Sequence, residues 1–116
     1  MTLIFVYGTL KRGGVNHAWI EAQQFVAEAR TVPLYRMFDL GDYPGMVRSA
    51  DGICIQGEIW SVDADGLARL DVLEGTASGE YERVVVPLEG EHAAQRVEGY
   101  IYLRSVAGKR DVGPCW

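Results

Sequence analysis

Five consecutive apolar residues, Leu3-Ile4-Phe5-Val6-Tyr7, run straight into Gly8-Thr9-Leu10-Lys11-Arg12-Gly13-Gly14. This junction constrains the fold more than any other stretch of the chain. β-Branched, aromatic and aliphatic residues without a polar interruption predict a strand covered on both faces, and the glycines end it. Because glycine permits positive φ, successive N–H groups at such a strand end can turn toward one point and hold a carboxylate or a developing oxyanion. A tight turn with no ligand fits the same spacing. A phosphate-binding P-loop does not, since it needs Lys and then Ser or Thr directly after its last glycine, and Val15 follows Gly14 here.

Beyond the glycines, Asn16 is placed to cap a short helix carrying His17, Trp19 and Ile20, with Glu21 in its body. His17 has no Ser or Cys nucleophile at an identifiable partner position and reads as structural or exposed. Residues 25–32 are ambiguous, because Ala-Glu-Ala-Arg suits a helix while the approach to Pro33 favours extended chain. Residues 34–40 alternate, with Leu34, Phe38 and Leu40 on one side and Arg36 breaking the row. Gly41-Asp42-Tyr43-Pro44-Gly45 is turn chemistry that suits either a pocket wall or a surface hairpin. Ile53, Ile55, Gly57 and Ile59 share one face of a further strand, where Gly57 marks a bulge or a close approach of backbone.

The period then changes. Asp63 is an N-cap, Asp65 stands in the first turn where the helix dipole favours negative charge, and Gly75 is a stop. Between them Leu67, Leu70 and Leu73 repeat at three, a helical face. Residues 81–86 and 97–103 are two more strands, the first with Tyr81, Arg83 and Val85 on one side. The segment 89–92 between them reads as a solvated loop with His92 exposed. The total is six or seven short strands and two short helices in an α+β arrangement. A small mixed β-barrel, closed or nearly so with the helices packed outside, removes the exposed edges best, and an open α+β sandwich is the alternative.

At 116 residues the chain spans one domain, 1–116. Its net charge of -5 and the absence of any Lys/Arg cluster argue against a nucleic-acid or anionic-membrane surface. The apolar run at the N-terminus is too short for a membrane span and lacks the flanks of a signal peptide, so a cytoplasmic location is expected. Cys54 and Cys115 have no ligand spacing and read as reduced thiols. Neither sits at a glycine-rich strand-to-helix turn with a base, which disfavours a Cys or His hydrolase.

Glu74 stands out on helix arithmetic alone. At roughly 100° per residue it falls within the arc of Leu67, Leu70 and Leu73, so a carboxylate shares the apolar face. Burial there raises a carboxyl pKa and improves it as a proton acceptor near neutral pH. Fraying beside Gly75 would instead swing it into water. Asp71, at the edge of the arc, reads as a solvated or capping residue.

Tyr7-Gly8-Thr9-Leu10 closing the first strand resembles the YG(S/T)L loop of the γ-glutamylcyclotransferase-like, or AIG2-like, family. Leu70-Asp71-Val72-Leu73-Glu74-Gly75 followed by Tyr81-Glu82-Arg83 resembles that family's acidic helix end and the start of its next strand. The resemblance covers essentially the whole chain. It implies a strand at residues 25–32, a substrate near the 41–45 loop, and Glu74 as general acid/base; some relatives lack that glutamate. It further implies a small-molecule γ-glutamyl substrate cyclised to 5-oxoproline with release of an amine, and no metal or organic cofactor. The backbone of Gly8, Thr9 and Leu10 would grip the carboxylate or oxyanion, while Tyr7 and Tyr81 would line the pocket, Tyr81 with a hydroxyl able to donate a hydrogen bond; plain core fits either tyrosine as well, and a salt-bridge partner is the simplest reading of Arg83. The chain departs from the family pattern in a short C-terminus, where relatives carry a segment that shapes substrate preference. A non-catalytic ligand-binding module of the same fold is the rival expectation, and nothing in the residues speaks to oligomeric state.

Overall fold

The first strand, β1 (Thr2–Val6), is flanked on both sides in a computed structural model that describes all 116 residues. Its neighbours are β5 (Gln56–Val62), antiparallel with Val6 opposite Glu58, and β7 (Glu98–Tyr102), parallel with Ile4 opposite Glu98. Two outer strands, β2 (Gln24–Arg30) and β6 (Tyr81–Val85), complete a five-stranded sheet of order β2-β5-β1-β7-β6. The pair β3 (Tyr35–Asp39) and β4 (Pro44–Arg48) forms a separate antiparallel ribbon.

Alternation along β1 divides the interior into two cores. Phe5 and Tyr7 join Tyr35, Met37 and Met46 of the ribbon together with Ile55, Ile59, Val97 and Ile101. Ile4 and Val6 point the other way, to Leu10, Ile20, Trp60, Val62, Leu70, Tyr81 and Tyr100. A sheet covered on both faces needs a central strand with no polar face, which is what residues 3–7 supply. The class is α+β with seven strands, as expected, but the sheet is not closed, so "barrel" describes it loosely. Its edges meet only past the ends of β2 and β6, where Val32 N–H donates to Pro87 O at 3.1 Å and Glu89 N–H to Arg30 O at 3.0 Å. The ribbon covers one face instead of extending the edge.

The single α-helix, α1 (Ala64–Leu73), follows β5 directly. Asp63 caps it, its Oδ1 accepting from Gly66 N–H at 2.7 Å. Leu70 is fully buried, and Leu67 and Leu73 pack against the same core. The other expected helix is only a 3₁₀ turn, His17–Trp19. Asn16 does not cap it, because its amide is drawn back to the glycine loop, donating to Thr9 Oγ1 at 3.0 Å. The strand that the resemblance implied at 25–32 is β2, ending at Arg30, with Thr31 adding an isolated bridge to Leu88. At Gly57 the alternatives resolve into close approach, since a Cβ there would stand 2.4 Å from Val6 O; the ladder irregularity lies farther along, in β2 between Phe25 and Ala27, opposite Trp60 and Ile59. His92 is mostly covered rather than exposed, its side chain held by a short 3₁₀ turn and by Gln95 Oε1 at 2.6 Å from Nδ1. No helix is long and apolar enough to cross a membrane.

Candidate functional site

The carbonyl groups of residues 8–11 are all engaged. Gly8 O accepts from Lys11 N–H, Thr9 O from Asn16 N–H and Lys11 O from Gly14 N–H, at 3.2, 3.0 and 2.8 Å. Leu10 O accepts from His17 Nδ1 at 2.9 Å, which requires the Nδ1–H form of that ring. His17 is therefore structural, with its ring edge against Trp60 at 5.3 Å. By contrast, the N–H groups of Gly8, Thr9 and Leu10 donate to no protein acceptor. The loop thus has three successive backbone donors without a protein partner.

These residues line a cavity of about 200 Å³ at the end of β1, together with Tyr43 and Pro44 where the turn enters β4 and with Leu73, Glu74, Glu80, Tyr81 and Tyr100. Thus the structure brings together all six expected site residues, Tyr7, Gly8, Thr9, Leu10, Glu74 and Tyr81. The turn at 41–45 walls the pocket rather than standing apart as a surface hairpin. No Lys, Arg or His lines the cavity.

Gly8 is a glycine for a different reason from the one first suggested. Its φ is not positive; a Cβ there would meet Pro44 Cγ at 2.6 Å and Cδ at 2.8 Å. Tyr7 and Tyr81 contribute rings rather than free hydroxyls. Tyr7 OH donates to Tyr100 O at 2.8 Å and accepts from Met46 N–H at 3.3 Å, while Tyr81 OH donates to Pro44 O at 2.8 Å. Burial pushes both phenols far above their ordinary range. The Tyr81 hydroxyl proton thus goes to the pocket wall.

Glu74 is the C-cap of α1 and does not fray. Thr76 N–H donates to Asp71 O and Gly75 N–H to Val72 O, each at 3.1 Å, with Gly75 at φ +67°, the paired bonds of a Schellman motif. The half-buried carboxylate is held at the pocket with no cation and no hydrogen bond to offset its desolvation. Burial, and then the like charge of Glu80, push its pKa up to about 7. Asp71, one turn earlier, is partly exposed, and its carboxylate is paired rather than free or capping. It takes Arg83 Nε at 3.0 Å and Nη2 at 3.3 Å, and Tyr100 OH at 2.7 Å, while Arg83 also reaches Glu98 at 2.9 Å. That network ties α1 to β6 and β7.

Three pocket groups escape the sequence reading. Asn16 was taken for a cap. Glu80, whose Oε1 accepts from Tyr43 OH at 2.8 Å, reads as one more surface charge in a turn. Tyr100 is a strand aromatic whose approach to Asp71 depends on the packing of α1. The only signal for Glu80 was its position immediately before Tyr81.

The open α+β sheet thus carries, at the end of its central strand, a pocket that joins a loop of unpaired backbone donors to a carboxylate without a hydrogen-bond partner. Residues 4–114 match the family model described as gamma-glutamyl cyclotransferase, AIG2-like, and the chain belongs to that family. A Vibrio cholerae protein, provisionally named a γ-glutamylcyclotransferase, is 42% identical over 81 residues, 70% of this chain and 68% of its own. The γ-glutamylcyclotransferase family protein YtfP of Escherichia coli is 34% identical over 105 residues, covering 90% of this chain and 86% of its own. Among solved structures, a protein specific to uropathogenic E. coli aligns with TM-score 0.80 at 26% identity, over 99% of this chain and 91% of its own.

Proposed function

We propose that the protein is a γ-glutamyl cyclotransferase that converts a γ-glutamyl amine or γ-glutamyl amino acid to 5-oxoproline and a free amine, with Glu74 as general acid/base. One observation carries this reading: an unpaired carboxylate with its pKa near 7 shares a pocket with three unpaired backbone N–H groups. Membership of the family supports the same chemistry.

In this scheme the substrate's α-ammonium gives a proton to Glu74, and the freed amine attacks the carbonyl carbon of its own side-chain amide. The new C–N bond closes a five-membered ring and places negative charge on the carbonyl oxygen. Glu74 then gives its proton to the leaving nitrogen, the original C–N bond breaks and the amine departs, while the ring nitrogen, left cationic by the attack, gives its extra proton to the regenerated Glu74 carboxylate, from which it passes to the released amine. Protons and electrons balance without a cofactor. Because nucleophile and electrophile belong to one molecule, the pocket has only to curl the substrate and hold it. A base with a pKa of about 7 is half ionised at neutral pH, which suits it to both proton transfers. With no cation lining the cavity, recognition of the substrate carboxylate or stabilisation of the oxyanion falls to the N–H groups of Gly8, Thr9 and Leu10. The rings of Tyr7 and Tyr81 supply the apolar wall.

Mass spectrometry of a panel of γ-glutamyl amines and γ-glutamyl amino acids tests the proposal. At least one member should yield 5-oxoproline with the wild type and almost none with Glu74→Gln. A folded protein that binds these compounds and turns over none of them would be a binding module instead.

A further inference from the structure

Glu58 is the only charged residue buried in the interior, at 7% exposure, and the cyclotransfer scheme gives it no task. It lies on β5 opposite Val6 and points to the same side of the sheet as Trp60. Its two oxygens take hold of a single residue beyond the sheet. Arg12 N–H donates to Oε1 at 3.1 Å and Arg12 Nε donates to Oε2 at 3.0 Å, so main chain and side chain are captured together. The Trp60 indole N–H donates to the same Oε1 at 3.1 Å and fixes the carboxylate's own orientation. The Arg12 guanidinium lies 3.9 Å above the Phe25 ring and also reaches Glu28 at 3.2 Å.

Arg12 stands two residues past Leu10, between the free donors of the loop and the Gly13-Gly14 pair. A segment with this much glycine has a large conformational space to lose, and donors aimed at an anion help only if they are held before the ligand arrives. His17 fixes the loop at Leu10 O, and Glu58 fixes it at Arg12. Neither Arg12 nor Glu58 lines the cavity, so any effect on the reaction must pass through the loop.

We propose that Arg12 and Glu58 are positioning residues whose clamp holds the Gly8, Thr9 and Leu10 N–H groups in the arrangement that receives the substrate's carboxylate or oxyanion. The ligand in this statement rests on the cyclotransferase reading; the ordering of the loop does not.

The test uses the full chain with Arg12→Ala and Glu58→Gln. Backbone ¹⁵N relaxation without ligand should show ordered amides at residues 8–10 in the wild type and a loss of order in Arg12→Ala. The loss should be smaller in Glu58→Gln, which keeps an amide oxygen for the Arg12 N–H. Below the melting transition, kcat/KM of Arg12→Ala should fall about 10- to 100-fold, while the acid limb of its pH profile stays where Glu74 puts it. A salt bridge that serves only the fold would lower the melting temperature and leave kcat/KM of the folded protein unchanged. That result, or rigid amides in both variants, overturns the clamp. If Arg12→Ala does not fold, Glu58→Gln decides by the same two readouts. If the wild type yields no 5-oxoproline, the cyclotransferase reading fails and the relaxation data alone judge the clamp.

Discussion

The clamp beneath the glycine loop and the pocket at the end of β1 each withdraw a glutamate from water, with opposite results. Both are shielded from solvent, yet the pKa of Glu58 lies below the ordinary glutamate value while that of Glu74 is pushed up to about 7. Burial raises both. At Glu58 the Arg12 N–H, the Trp60 indole and the Arg12 guanidinium together outweigh it, whereas at Glu74 nothing opposes it and Glu80 adds to it. The supply of donors therefore sets the two carboxylates apart. Asp71 makes the same point within one helix, since it sits on Arg83 and Tyr100 only three residues before Glu74.

The largest expected effect breaks the pair at its reactive member. Glu74→Gln keeps the shape but cannot accept a proton, so turnover should fall by roughly 10²–10⁴-fold while 5-oxoproline still binds. Steady-state kinetics and a product-binding titration check this, and retention of most activity would remove Glu74 from the mechanism.

Stability against pH should separate the two glutamates by sign. Glu74 binds its proton more tightly folded than unfolded, so its effect on stability is unfavourable as pH rises from about 4.5 through about 7. Urea melts should show Glu74→Gln gaining on the wild type across that window, by up to about 3 kcal/mol at pH 8.5. Glu58 is the reverse case. Its folded pKa is depressed, so its contribution is complete above the unfolded value and is lost as pH falls through the folded one. Glu58→Gln should cost about 1–3 kcal/mol at pH 7 and progressively less in acid. Should both variants drift the same way with pH, the contrast between the two sites would collapse.

The smallest effect sharpens the comparison. Asp71→Asn weakens a partly exposed ion pair and the Tyr100 contact, and should cost about 1 kcal/mol with turnover within a few-fold of wild type. Loss of turnover as deep as that of Glu74→Gln, measured side by side, would put the acid/base on the wrong carboxylate.

What was legible in the sequence was local. Residues 3–7 announce a strand with no polar face, Asp63 and Gly75 mark both ends of α1, and the leucine spacing sets the face on which Glu74 stands. Each of these signals acts within a few residues of itself. The contacts that decide chemistry span the chain, and periodicity cannot register them: Arg12 meets Glu58 across 46 residues and Tyr43 meets Glu80 across 37. The open sheet was hidden for a similar reason. Alternation in residues 34–40 predicts a strand, but whether its hairpin extends the main sheet or covers its face depends on packing against Phe5, Tyr7 and Ile59.

The central claim, that Glu74 titrates near neutrality because it lacks partners, can be measured without a substrate. Carbon-detected NMR of the glutamate side-chain carboxyls, assigned by difference against Glu74→Gln, should show one resonance with its midpoint near pH 7. A Glu74 midpoint near the ordinary 4.5 would mean that the carboxylate is solvated or paired in solution, and would contradict the account.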